Sequence, residues 1–177
     1  MSADQNELTM TILQIVKDQF NVRVYDEGIE RIKKVLTLLS EEEVWYRPND
    51  AANSVGHLIL HLCGNVTQWI GSGVGGQVDI RARDVEFETI DHISKEMLMT
   101  KLYNLRPITD EALSTIESEN QLTEPRTVQG FDETVLSILI HVTEHFSYHV
   151  GQIAIIAKYQ KGMDLGFYAD MDLNVKN

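Results

Sequence analysis

One cysteine, three prolines and 7% aromatic residues are spread over 177 positions, and 15 lysines and arginines face 27 aspartates and glutamates. Each scarcity excludes something. With Cys63 alone, no intramolecular disulfide can form and a thiolate-rich zinc site is ruled out, which points to a reducing cytoplasm. A net charge of -12 leaves too little lysine and arginine for a phosphate backbone, so no nucleic-acid partner is expected. Nowhere do 18 apolar residues run together. The start, Met1 to Glu7, is polar and acidic, with neither a basic n-region nor an apolar h-region. Neither a membrane span nor a standard secretion signal is expected.

What is present is the stuff of a single core. Hydrophobic residues make up 43% of the chain, enough for one domain over 1–177 without staples. No internal repeat, low-complexity tract or second-domain boundary interrupts it. Apolar residues recur at helical spacing from Leu8 to Phe20 and again from Val24 to Leu39, as one broken helix or two consecutive ones. Ser40 to Tyr46 reads as a capped single turn. Asn53 or Ser54 caps the next helix, which runs to about Ile70 and ends in Gly71, Gly73, Gly75 and Gly76. Residues 71–93 form a long irregular connection. Another helix starts near Ser94 and is kinked or interrupted at Pro107. The last helix spans Asp132 to Tyr159, with Asp132 as N-cap and Lys158 and Lys161 near its end; residues 162–177 are a tail that Leu165, Phe167, Tyr168 and Leu173 would dock. Four amphipathic regions with a long crossover imply an all-α, antiparallel four-helix bundle.

The last helix carries His141, His145 and His149, each four residues from the next. Residues at that spacing are offset by about 40° around the axis and about 6 Å along it, so neighbouring imidazoles can converge on one ion. With His145 at 0°, the apolar residues of the helix fall in an arc from roughly 20° to 140°. His149 lies inside the arc, His145 at its margin and His141 beyond it on the polar side. On the second helix His61 occupies the same marginal position, whereas His57 points outward like His141. Three imidazoles, from His61, His145 and His149, would then meet near one end of the core. Such a set suits zinc, nickel or ferrous iron and leaves coordination positions open.

Other candidates rank lower. Glu144 points away from the core and reads as a solvated carboxylate. Gln152 and Asn65 are placed to hydrogen-bond a metal-bound water or a ligand imidazole, or equally to make a packing contact. Arg81 and Arg83, among Asp79, Asp84, Glu86 and Glu88, read as partners in ion pairs rather than as an anion clamp. Cys63 reads as a packed hydrophobe. The glycine run lacks a following Gly-Lys-Ser/Thr and is no nucleotide loop. His92 stands alone in a connection.

Three stretches in order, Asn53 to Asn65, Arg81 to Phe87 and His141 to Gln152, resemble the DinB/YfiT-like superfamily, and within it a branch of unknown function. The likeness covers most of residues 25–160. It implies a four-helix bundle, usually a homodimer, with a divalent metal held by one histidine of the second helix and two of the fourth; in this sequence these are His61, His145 and His149. Where activities are assigned in the family, they are metal-dependent hydrolysis or transfer of low-molecular-weight thiols. The alternative is a non-catalytic, dimeric metal-binding or stress-related bundle. His57 departs from the branch pattern and would add a fourth imidazole, coordinating or tuning the site.

Overall fold

The computed structural model describes residues 11–88 and 93–176. Four helical rods carry the core. The first is continuous: α1 (Ile12–Asn21) passes through a π-helical segment (Val22–Ile29) into α2 (Glu30–Leu38). Weak helix formers at Val22, Val24 and Tyr25 therefore widen the helix rather than break it, because Val24 and Ile29 are buried and packing overrides propensity. Ser40 then caps the short α3 (Glu41–Trp45), with Glu43 completing a capping box.

The second rod is α4 (Val55–Val66), prolonged by a second π-helical segment (Thr67–Val74). Helical backbone thus runs past Ile70 and through Gly71 and Gly73, which the sequence reading placed in a loop. Close packing accounts for the extension: a Cβ on Gly71 would lie 2.9 Å from Ile108, and one on Gly73 3.3 Å from Val128. After a crossover holding the single turn α5 (Val85–Glu88), the third rod is α6 (Lys95–Tyr103) and α7 (Leu105–Ser114). The break falls at Asn104, and Pro107 sits in the first turn of α7, where its missing N–H removes no helical bond.

The fourth rod is α8 (Val135–Lys161), closed by Gly162 in the left-handed region. Asp132 is not its cap. Residues Pro125–Val128 (β1) and Phe131–Thr134 (β2) form an antiparallel hairpin, and Thr134 caps α8 in a box with Ser137. The hairpin turns at Gln129 and Gly130, with φ of 53° and 82°, the two positive values that a two-residue turn of matching twist requires.

Contacts give the chain directions. Tyr25 meets Thr109 and Leu39 meets Lys95, so rods one and three are antiparallel. His61 meets His145 and Trp69 meets His141, so rods two and four are antiparallel as well. Rods two and three run parallel, α4 against α6 and the second π segment against α7, which is what the long crossover permits. Fully buried Phe20, Ile32, Ile59, Leu62, Leu98, Leu102 and Phe146 fill the centre. In the tail Leu165 is buried and Tyr168 accepts a bond from Arg31, but Leu173 is exposed and docks nothing. No described helix is long and apolar enough to cross a membrane.

Candidate metal centre

Ser54 starts α4, and the residue three positions on that completes its capping box is His57. That role turns His57 inward. It is buried, its Nδ1 lies 2.9 Å from Ser54 Oγ, and its ring meets Trp45 edge-on at 5.3 Å. The outward direction expected from the wheel is thus wrong: the helix begins too close to His57 for a wheel to weigh the cap. Its place is the helix N-terminus and not the cluster formed by the other imidazoles.

One turn later His61 faces α8. Its ring centre lies 5.1 Å from that of His145 and 4.9 Å from that of His149, and those two are 4.5 Å apart. One nitrogen from each of the three lies within 4.8 Å of the others. His61 Nε2 and His145 Nε2 face each other across 2.9 Å. Two lone pairs cannot face at that distance unless they share a proton or a cation. Ligands about 2.1 Å from a tetrahedral zinc lie about 3.4 Å apart, a spacing between the 2.9 Å of the nearest pair and the 4.8 Å limit for all three, so modest side-chain movement would seat one ion.

The outward-facing nitrogens are tied down. His149 Nδ1 lies 2.7 Å from Gln152 Oε1, so Nδ1–H donates and Nε2 keeps its lone pair. His61 Nδ1 lies 2.9 Å from Glu86 Oε2 and donates to it. Arg81 holds that carboxylate by two bonds, Nε to Oε1 at 2.7 Å and Nη2 to Oε2 at 2.8 Å, while its Nη1 donates to Gln68 Oε1 at 2.8 Å. Gln68 in turn donates to Asp79, 2.8 Å away. This chain works only because position 64 is glycine: a Cβ there would stand 1.9 Å from Glu86 Oε1.

Electrostatics favours the neutral form of His145 and His149. Burial, then the neighbouring histidines and Arg81, push His145 down to about 3. Burial also lowers His149, against the opposing bond to Gln152. Burial alone would raise Glu86, but the bonds from Arg81 and His61 outweigh it and hold the carboxyl below its ordinary value. Imidazoles of this kind, converging beside an ionised carboxylate, are a donor set that a divalent cation fits.

A cavity of about 430 Å³ opens beside His61 and His145. Asn65 and Trp69 line it from the second rod, Arg83 from the crossover, and Gln129, Phe131 and Glu133 from one face of the hairpin. His141 is at its rim, as the wheel expected, stacked on Trp69 at 4.0 Å. The Trp69 indole N–H donates to Gln129 Oε1 at 3.2 Å.

Of the remaining candidates, Arg81 is in an ion pair as expected, and Arg83 lies over the Phe87 ring at 5.0 Å. Glu144 is exposed and outside the cluster. Burial pushes the Cys63 thiol up to about 12, which makes it a poor nucleophile at neutral pH. His92 lies outside the described residues. The sequence pairs Glu86 with the arginines but does not reveal its bond to His61, nor the hairpin wall; the glycine at 64, three residues after His61, is the available trace of the first, and Gln129-Gly130 of the second.

Among solved structures the chain is similar to a DinB-like protein from Bacillus cereus ATCC 10987, with 19% identity over 84% of this chain and 94% of that one, and a TM-score of 0.63. It is also similar to a conserved protein from Enterococcus faecalis, with 17% identity over 88% of this chain and 100% of that one, and a TM-score of 0.66. At these identities the likeness is one of fold, and it makes the bundle DinB-like. No curated protein matches the chain. A family model described as "Protein of unknown function (DUF1572)" matches residues 9–168, and the chain belongs to that family.

Proposed function

We propose that the protein binds one divalent cation through His61, His145 and His149 and uses it as a metal-dependent enzyme, in hydrolysis or in transfer of a low-molecular-weight thiol. The observation that carries this is the convergence of the three imidazoles, two with their outer nitrogens fixed by Glu86 and Gln152, beside an open cavity that His61 and His145 line. Zinc, nickel and ferrous iron suit the donor set. Such an ion would supply Lewis acidity to a substrate atom in its open positions. The chain's own contribution is to favour neutral His145 and His149 by burial, to orient the His61 ring through Arg81 and Glu86, and to shape the substrate space with the hairpin.

A second reading is a structural clamp, since the ligands join α4 to α8. The adjoining cavity favours the open site. We also infer a homodimer, supported by Ile140, Tyr148, Ile155 and Tyr159, which are exposed apolar residues along one side of α8. Metal analysis of protein purified without an affinity tag tests the centre. His149→Ala should lose most of the bound metal and His141→Ala should keep it; equal losses, or no metal in the parent protein, would refute the assignment. A screen for thiol transfer and hydrolysis on the loaded protein then separates enzyme from clamp.

A further inference from the structure

Asn65 lies one turn beyond His61 on α4 and is 3% exposed, yet it contributes to the wall of the cavity beside His61 and His145. Its Oδ1 is buried and has no hydrogen-bond partner among the described residues. An orphaned amide oxygen inside a protein is unfavourable unless something donates to it, and beside a cavity a bound ligand can supply that donor. Helix packing does not explain this one, since a packing role would be served by an apolar residue at no such penalty. A half-turn about Cβ–Cγ exchanges the oxygen and nitrogen, so the carboxamide can present either to the cavity.

We infer that Asn65 is a ligand-holding residue of the centre: its carboxamide oxygen accepts a hydrogen bond from an N–H or O–H of a small polar molecule bound at the three histidines. This rests on the metal-centre reading and deepens it by naming the substrate class, a molecule that pairs a metal-directed atom with a nearby donor. Arg83 and Glu133 line the same cavity and place both charge signs within it.

The test uses cobalt(II)-loaded protein and two probes, imidazole, which keeps an N–H when it binds a metal, and 1-methylimidazole, which has none. Their affinities are read from the visible cobalt bands in the parent protein, Asn65→Leu and Asn65→Asp. One hydrogen bond changes affinity by roughly three- to tenfold. The parent protein should prefer imidazole by about that factor, Asn65→Leu should lose the preference while binding as much cobalt, and Asn65→Asp, which retains an acceptor, should keep it. If Asn65→Leu fails to fold by circular dichroism, Asn65→Ala replaces it with the same expectation. An unchanged preference in the leucine or alanine variant overturns the role of Asn65 while leaving the centre intact. Failure of the parent protein to take up cobalt overturns the centre, and this inference with it.

Discussion

At the residue scale, the site depends on a side chain that is missing. Gly64 leaves the space in which the Glu86 carboxylate reaches His61 Nδ1, and Arg81 fixes that carboxylate from the other side. Gly64→Ala should push Glu86 away from His61 without disturbing the core, because the atoms it would strike are the ends of side chains and not backbone. Groups that orient a metal-bound histidine typically contribute 10- to 100-fold in affinity. Zinc affinity measured by chelator competition should therefore fall by roughly that factor in both Gly64→Ala and Glu86→Ala. For Gly64→Ala the melting temperature of the metal-free protein should stay close to that of the parent; a large drop would mean that Gly64 serves the fold instead.

At the scale of elements, two glycines in helices make opposite demands. On Gly56 of α4, a Cβ would lie 2.7 Å from three Trp45 ring atoms, whereas on Gly151 of α8 it would meet nothing within 4 Å. Urea unfolding should show Gly56→Ala destabilised by about 1–3 kcal/mol through overpacking. Gly151→Ala should be stabilised by about 0.5–1 kcal/mol through the lost flexibility of the unfolded chain. The same elements show what the sequence could tell. Helical periodicity found all four rods, because each has a broad apolar face, and it put His145 and His149 on the inner side of α8. It could not find the bond between Glu86 and His61, which are 25 positions apart, a contact set by the crossover and not by any period. Asp132 satisfied the rule for an N-cap, but Gln129-Gly130 with pairing residues on both sides makes it a strand residue, and Thr134 takes the cap. Helix continuation through Val22–Ile29 and Thr67–Val74 reflects buried packing that local propensity does not encode.

For the whole molecule, the three histidines proposed as ligands lie on rods that are neighbours in space but distant in sequence. A cation bound only by the folded state stabilises it, by about 2.7 kcal/mol at a hundred times its dissociation constant. For a chain of this length that corresponds to roughly 5–10 °C. Adding a chelator to metal-loaded protein should lower the melting temperature by that order in the parent and leave His149→Ala unmoved. Light scattering should return the mass of a dimer, and Ile155→Lys, which places a charge amid the exposed apolar residues of α8, should return that of a monomer. A monomeric parent protein would exclude the assembly inferred here. The molecule has only two tryptophans, and they are differently placed: Trp45 packs against His57 at the start of α4, while Trp69 stacks on His141, next in line to His145. An open-shell ion at the histidines would quench indole emission over so short a range, so replacing Trp45 with phenylalanine leaves a chain whose own fluorescence reports, in real time and without a dye, when the centre fills.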